Sequence, residues 1–467
     1  MSLMAIDNWG TLLAGAAETD ITPALGTQIA GDIGRKRPAK VALEPLYAKA
    51  LVLEGDGVKA CVISMDLLAA LTGHCALIRS EIEKKHKIPK ENVIVHVLQN
   101  HSAPSLGHLM IPPTDNHLLP KEEEWRFLYG GDEAYDQRCI ARVLAAVDEA
   151  AAKMQPVHVG VSRAVDGRFS FNRRAVMRDG RRIGEVPKLD RDILYIEGPV
   201  DPEVGVALLV NDEMENIAVL LHHSSHPTSG FAGDYISSDW PGAWCDRMRG
   251  VLGRQCVPIV INGCCGNLVH DNKLDPDHVR SDYQRMGAGL AESTVKALKD
   301  LEYIPRPLLR MANTHLQIPL REFGEEYLKN ARAIYERHPM PKWDEKTNTM
   351  DWDWWIATSA LDTYHYWSQF KTFDYEIQAL RIGELALVSL GGEPFVEGQL
   401  AIKLRSPAEY TFIAHMCNYY VGYVPIREAV ENPGSWDTYM SQGSKLDAGA
   451  LDMISGASVD LLNTLYP

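Results

Sequence analysis

Short runs of valine, isoleucine and leucine recur along the whole chain, and residues that break regular structure lie near each of them. Runs of this length and composition indicate β-strands rather than long core helices. We predict ten strands, at 49–53, 59–65, 93–98, 157–162, 206–210, 217–222, 257–261, 309–316, 386–390 and 410–416. A chain with so many short strands must build its core around one or more sheets.

Amphipathic segments alternate with these runs. Ile140, Val143, Leu144 and Val147 recur at the spacing of one helix face. We predict helices at 74–86, 133–154, 282–299, 323–337 and 395–404. Strands mixed with such helices indicate a layered α/β (mixed α+β) protein, with a large mixed β-sheet core flanked by helices. No shift of composition marks a domain boundary, so we predict a single domain over 1–467.

Charge and hydropathy exclude several classes of function. The formal net charge of −15 argues against binding to the phosphate backbone of nucleic acids. No run of 18 apolar residues is present, so we expect no transmembrane helix. The opening MSLMAIDNWG lacks the basic start and apolar run of a secretory signal, which favours a cytoplasmic location, although a signal already removed would leave no trace. Eight cysteines without a CxxC pair are typical of reduced, buried thiols.

Tryptophans are concentrated in one segment near 340–370. Five of the ten lie there, at Trp343, Trp352, Trp354, Trp355 and Trp367. One interpretation is a core helix packed with indoles. The other is an aromatic lid or insertion over a pocket, because indole faces suit sugar rings and acyl chains. Under the second interpretation Trp354 and Trp355 bind substrate.

Polar side chains follow four of the apolar runs. They include Gln99 and His101 at the first, three histidines (His222, His223 and His226) at the second, Glu393 at the third and three tyrosines (Tyr419, Tyr420 and Tyr423) at the fourth. Two-residue alternation along a strand places Gln99 and His101 on one face. Each residue taken alone is also typical of an ordinary polar loop or of buried packing. Together, two histidines, a glutamate and a tyrosine suit a zinc site that activates water.

Several common catalytic motifs are absent from the sequence. There is no GxSxG, HExxH, Walker A or GxGxxG pattern. The absence of these motifs argues against an ordinary serine hydrolase, a zincin, an ATPase or a Rossmann enzyme.

The chain resembles the catalytic (N-terminal) domain of the neutral, non-lysosomal ceramidases, in their bacterial form. The resemblance is carried by GAAETDIT at 15–22, Asp66, NHSAP at 100–104, SHPTS at 225–229 with ISSD at 236–239, GEPFV at 392–396 and NYYVGYVPIRE at 418–428. These segments follow the family's order over nearly the whole chain. The C-terminal immunoglobulin-like domain of the family has no counterpart in these residues.

The resemblance implies hydrolysis of the amide of ceramide, and hence a role in sphingolipid metabolism, with one zinc ion. It implies metal ligands at His226, Glu393 and Tyr423, and substrate contacts from Arg173 and Tyr439. The position of the family's first histidine ligand holds Gln99, so we expect His101 to contact the metal and Gln99 to contact substrate.

A further departure concerns the proposed nucleophilic serine of the family, whose position holds Val269 in the segment NGCCGNLVH at 262–270. A valine has no nucleophilic atom, which favours direct attack by metal-bound hydroxide. Cys264 or Cys265 as nucleophile is the alternative, although small buried packing residues are the commoner role for such cysteines.

Three functions therefore remain open from the sequence. The first is a zinc-dependent hydrolase of an amide or ester bond in an N-acyl compound. The second is a metal-dependent enzyme acting on a saccharide, which the tryptophans favour. The third is a ligand-binding homologue without catalysis, which Gln99 and Val269 favour. The partner is a small molecule in each case, and the sequence does not indicate an oligomeric state.

Overall fold

Nine strands form a mixed sheet at the centre of the described structure. In chain order they are β1 (Leu12–Asp20), β2 (Tyr47–Gly55), β3 (Val58–Met65), β4 (Val93–Val97), β5 (Gln155–Val165), β6 (Glu203–Val210), β7 (Asn216–His223), β8 (Val257–Asn262) and β9 (Glu302–Tyr303). Their spatial order is β8-β7-β6-β5-β1-β2-β3-β4, with β9 paired to β5. The pairs β3–β4 and β7–β8 are parallel, and the others are antiparallel.

This computed structural model describes residues 12–467 except 33, 108–117, 119–121, 129, 186, 279–281, 345, 347–348 and 442. The opening MSLMAIDNWG, on which the expected absence of a signal rests, lies outside the described residues. Within the described ranges, no helix is both long enough and apolar enough to cross a membrane.

A second sheet packs on the first. It contains β10 (Leu309–Pro319), β11 (Thr372–Ile382), β12 (Leu385–Ser389) and β13 (Tyr410–Ala414), in that spatial order. The pair β12–β13 is parallel, and the other two pairs are antiparallel. Shorter strands are Val41–Ala42 with Tyr235–Ile236, Phe171–Asn172 with Leu268–Val269, Trp343–Asp344 with Thr349–Met350, Glu393–Pro394 with Tyr423–Val424, and the trio Ala175–Met177, Arg182–Ile183 and Ile193–Ile196.

Helices cover the outer faces of the two sheets. Those described are α1 (Thr72–His86), α2 (Glu133–Ala152), α3 (Asp239–Leu252), α4 (Tyr283–Ala297), α5 (Glu325–Arg337), α6 (Trp352–Trp367), α7 (Val396–Arg405), α8 (Arg427–Glu431) and α9 (Ala450–Leu465). Helices α1 to α4 pack on the large sheet, and α7 and α9 lie on the second sheet. The layers are therefore helices, sheet, sheet and helices.

The core follows from side-chain alternation along the strands. In β4, Val93, Val95 and Val97 pack toward the helices, whereas Ile94 packs between the two sheets. Both faces of the large sheet are thus buried. This explains why its central strands read as continuous apolar runs rather than as alternating ones.

The predicted mixed α/β class is confirmed, and each of the ten predicted strands falls on an observed strand. Strand β1 was not predicted, because its sequence LLAGAAETD contains small residues in place of branched ones. Packing explains this composition. A Cβ atom added at Gly15 would lie 2.0 Å from the backbone oxygen of Ala150 in α2. Strand β11 and helices α3 and α9 were also not predicted.

All eight cysteines are free and buried, as the sequence predicted.

Candidate active site

The loops that follow the parallel strands meet at one end of the molecule. Parallel neighbours send their carboxyl ends to the same edge, so each parallel pair brings two loops together. Backbone hydrogen bonds from the loop after β13 join the three parallel pairs, β3–β4, β7–β8 and β12–β13. The N–H of His415 in this loop donates to the oxygen of Asn262 in β8 at 3.2 Å. The N–H of Asn418 donates to the oxygen of Val95 in β4 at 2.8 Å.

A cavity of about 310 Å³ lies where these loops meet. Much of its wall is apolar or aromatic: Leu68, Ala69, Phe231, Val269, Trp352, Trp355, Ile356, Met416 and Trp436. Its polar and charged side chains are Asp32, Gln99, His101, Arg173, Glu185, His226, Thr228, Ser359, Glu393, Tyr420, Tyr423 and Ser441. Seven of the nine site residues predicted from sequence therefore line one cavity. Trp354 and Tyr439 do not.

His226 is held with one ring nitrogen directed at Glu393. Its Nδ1 lies 2.6 Å from the backbone oxygen of Cys265 and 3.0 Å from that of Leu268. Carbonyl oxygens only accept, so Nδ1 carries the hydrogen. The other nitrogen, Nε2, lies 3.6 Å from Oε2 of Glu393. A backbone carbonyl that fixes the tautomer in this way is typical of a histidine that ligates a metal.

Glu393 and Tyr423 are brought together by backbone pairing. The short strands that begin at these residues are parallel, and Glu393 is the direct register partner of Tyr423. The hydroxyl of Tyr420 donates to Oε1 of Glu393 at 2.8 Å, whereas Oε2 is buried without a hydrogen-bond partner among the described residues. Burial, and then the neighbouring Glu393, raise the pKa values of the Tyr420 and Tyr423 phenols well above the usual range.

Gln99 and His101 face the cavity together, but not through strand alternation. Strand β4 ends at Val97, and Gln99 has a φ of +63°, which is a left-handed conformation uncommon for this residue type. Its Oε1 accepts from the thiol of Cys265 at 3.6 Å. The ring of His101 lies 5.4 Å from that of His226, measured between centroids.

The donor chemistry of His101, His226, Glu393 and Tyr423 fits a zinc ion. His226 and Glu393 already direct one nitrogen and one unpartnered oxygen toward each other. Among the described residues, however, no three histidine, cysteine, aspartate or glutamate side chains are grouped closely enough to hold a metal ion. His101, His226 and Glu393 alone therefore do not form such a group in this structure.

Arg173 is locked into the cavity wall. It is 3% exposed, and its guanidinium donates to the backbone oxygens of Gly184 and Gly266 at 2.8 and 2.7 Å. It also pairs with Asp437 at 2.9 Å and stacks 4.7 Å from the ring centre of Trp436. Its charge is therefore fixed beside Tyr423, and most of its donors are already used.

Tyr439 lies outside the cavity. It is 36% exposed and lines a separate surface depression with Arg181 and Arg182. The expectation that it contacts substrate in this cavity rested on a weak match of sequence position, and its place in the fold does not support it.

Val269 lines the cavity at the position expected for a nucleophile. Cys264 and Cys265 are fully buried and do not line it. Burial raises the pKa of both thiols, to well above the usual value for Cys265, so they are held in the un-ionised form, which is a poor nucleophile. Packing is therefore the role that the structure gives these two cysteines.

The tryptophan segment combines both of its predicted roles. Helix α6 presents Trp352, Trp355, Ile356 and Ser359 to the cavity, at the spacing of one helix face. Trp354 does not line the cavity; it packs in a core cluster that also includes Trp355 and Ile356, and its indole N–H donates to the backbone oxygen of His338. Trp354 is therefore a packing residue and not a substrate contact.

Helix α6 also carries a buried carboxyl group with an unusual titration. Asp362 is 3% exposed, and neither carboxyl oxygen has a hydrogen-bond partner among the described residues. Burial raises the pKa of this carboxyl to about 7. The folded protein therefore keeps this proton between about pH 4 and pH 7, where the unfolded chain has lost it.

We expect this group to stabilise the fold at low pH and to lose that contribution as the pH rises toward 7. Asp362→Asn should abolish this loss, which is about 4 kcal/mol at most for a shift of this size. The measurement is the midpoint of thermal unfolding between pH 5 and pH 8. Asp460→Asn, at an exposed aspartate, is the matched control. Parallel pH profiles for wild type and Asp362→Asn would contradict the prediction.

Arg37 is a residue near the site that sequence reasoning missed. It is 1% exposed, and its guanidinium donates to the backbone oxygens of Ala30, His101, Gly230 and Gly233. One side chain thus ties the loop of His101 to the loop that follows His226. No sequence pattern points to Arg37, because its partners are backbone atoms that any residue would provide.

Comparison with solved structures places this fold among ceramidases. The structure of neutral ceramidase from Pseudomonas aeruginosa matches with a TM-score of 0.72 and 16% sequence identity, over 98% of this chain and 75% of that one. A ceramidase complexed with C2 matches with a TM-score of 0.71 and 15% identity, over the same shares of the two chains. No family model and no curated protein matches the sequence. The predicted resemblance to neutral ceramidases is therefore confirmed for the fold.

Proposed function

We propose that the protein is a hydrolase that cleaves an amide or ester bond in a small N-acyl compound, with zinc as its cofactor. The observation that carries this proposal is the approach of His226 Nε2 to Glu393 Oε2, at 3.6 Å, inside a cavity with a largely apolar wall. Solved structures with this fold are named as ceramidases, which supports an acyl amide such as a ceramide-like lipid as the substrate.

In this proposal His226, Glu393 and Tyr423 hold the zinc ion, and His101 takes the place that Gln99 leaves open. A bound zinc ion lowers the pKa of a coordinated water to near 7 and polarises a carbonyl oxygen. Tyr420 keeps Glu393 in place through its hydrogen bond to Oε1. The two backbone acceptors of His226 keep the hydrogen on Nδ1, so that Nε2 is available.

The rest of the cavity binds and orients the substrate. The faces of Trp352, Trp355 and Trp436 offer an apolar surface for an acyl chain. Gln99 offers an amide group beside this surface. Arg173 places a fixed positive charge beside Tyr423, where it would stabilise negative charge that develops on the carbonyl oxygen.

The test begins with metal content and turnover of the purified protein. We expect about one zinc ion per chain, hydrolysis of a fluorogenic short-chain acyl amide, loss of this activity with a chelator and recovery with added zinc. Full activity in metal-free protein would show that the zinc part of the proposal is wrong.

The same assay separates the two alternatives. Cleavage of oligosaccharides alone would favour the saccharide enzyme. Tight binding of acyl amides without any turnover, even after zinc is added, would favour a ligand-binding homologue. The tryptophan cluster that motivated the saccharide is in part core, since Trp354 belongs to a buried cluster with Trp125 and Trp343 and does not line the cavity.

A further inference from the structure

One hydroxyl group in the wall of the cavity has no hydrogen-bond partner within the described structure. Thr228 is 4% exposed and lines the cavity, and its Oγ1 is buried without a partner among the described residues. A buried hydroxyl in this state destabilises the fold, because it has given up its bonds to water. Such a group needs an explanation, and a bound molecule that completes its hydrogen bonding is one.

The backbone of Thr228 is fixed by its neighbours. Its N–H donates to the oxygen of His226 at 3.0 Å, and its own oxygen accepts from the N–H of Phe231 at 3.1 Å. The preceding residue, Pro227, is tied as well, because the N–H of His101 donates to its backbone oxygen at 3.0 Å. The hydroxyl is thus held in the wall by a turn that also carries His226.

Two other hydroxyl groups of this loop already donate hydrogen bonds within the protein. Ser225 Oγ donates to the backbone oxygen of Phe169 at 3.1 Å, and Ser229 Oγ donates to Oδ1 of Asp239 at 3.0 Å. Those two serines support the loop. Thr228 differs from both, since its hydroxyl lies at the cavity and has no such structural bond.

We propose that Thr228 is a substrate-binding residue, whose hydroxyl donates a hydrogen bond to the carbonyl oxygen of the acyl group. This inference rests on the proposed function, because it takes an acyl amide as the ligand. Phe231 and Val269, which also line the cavity, are apolar and carry no side-chain acceptor. Thr228 thereby distinguishes a chain that carries a carbonyl group from one that does not.

The experiment is a double-mutant cycle between the residue and the ligand atom. Two probes are compared, N-methyloctanamide and its thioamide, whose sulfur is a larger atom and a weaker hydrogen-bond acceptor than the amide oxygen. Binding is followed by the fluorescence of the cavity tryptophans, and chromatography checks that the probes stay intact. In the wild type we expect the amide to bind about 3- to 10-fold more tightly than the thioamide, which is the range for one neutral hydrogen bond.

Thr228→Val removes the hydroxyl and keeps the shape, so we expect the preference for the amide to vanish. Thr228→Ser keeps the hydroxyl and should retain the preference. The thermal midpoint of Thr228→Val should not fall, because Oγ1 supports no bond within the described structure. An unchanged preference in Thr228→Val, a midpoint lowered by several degrees, or no binding of the amide by the wild type would overturn the inference.

The outcome also separates the inference from the proposed function. Hydrolysis of acyl amides by a protein whose binding ignores Thr228 would overturn the inference alone. A preference that depends on Thr228, in a protein that hydrolyses neither amides nor esters, supports the inference and refutes the hydrolase.

Discussion

Glu393→Gln is expected to lower kcat/KM for an acyl amide by about 100-fold or more and to reduce the zinc content. The amide keeps the size of the side chain and an oxygen for the bond from Tyr420, but it loses the negative charge. Changes to groups that only support a metal ligand already cost about 10- to 100-fold, so loss of a ligand itself should cost more. The measurements are steady-state kinetics and elemental analysis on the same preparations.

Two further variants make this result specific. Tyr420→Phe removes the bond to Oε1 of Glu393 without touching the proposed metal ligands, and we expect a loss of about 10- to 100-fold. Glu185→Gln alters a second carboxylate of the same cavity, which is paired with Lys273 at 3.1 Å and is 31% exposed. We expect less than a fivefold change for it. Wild-type activity in Glu393→Gln would refute the assignment of this glutamate.

Removing one member of the buried ion pair between Lys49 and Asp66 is expected to lower the free energy of unfolding by about 3–5 kcal/mol. Lys49 Nζ lies 2.8 Å from Oδ1 of Asp66, and both side chains are 1% exposed. Oδ2 of Asp66 also accepts from the N–H of Tyr47 at 2.8 Å. Asp66→Ala leaves the ammonium group of Lys49 without its counter-charge in the core, which is the origin of the large effect.

The midpoint of urea unfolding measures this effect, and two controls define its cause. The double variant Lys49→Met with Asp66→Leu should recover most of the stability, because a buried apolar pair replaces the charges. Glu54→Ala breaks the ion pair between Glu54 and Lys59, whose side chains are 35% and 39% exposed, respectively. This variant should lower the free energy of unfolding by less than about 1 kcal/mol. An Asp66→Ala variant as stable as the wild type would contradict the prediction.

Most of the fold was predictable because the pattern of apolar residues in a short stretch of sequence indicates which side chains are buried. The runs at 59–65 and 93–98 are apolar on both faces, since helices pack on one side of the large sheet and the second sheet packs on the other. Strand β1 was not predictable in this way. Its residues, Gly15 among them, are small because helix α2 packs closely against the strand, and only the packed structure shows this contact.

The candidate site divides in a similar way. His101, His226, Glu393 and Tyr423 were predicted because chemically capable side chains follow apolar runs and match a family's segments in order. Thr228 and Arg37 were not singled out, since a threonine or an arginine in a polar loop is ordinary in sequence. What distinguishes them is burial, together with an unpartnered hydroxyl in one case and four backbone acceptors in the other.

The sequence by itself determined the layered architecture and which residue types stand at the ends of its strands, because periodicity and composition act over a few neighbouring residues. Only the tertiary structure decided which of these side chains meet. Glu393 and Tyr423 are 30 positions apart, yet parallel pairing makes them register partners, while Trp354 turns into the core beside a neighbour that lines the cavity. Contacts between residues distant in sequence depend on how the strands pair and on which face of a helix is buried. A local sequence pattern predicts neither.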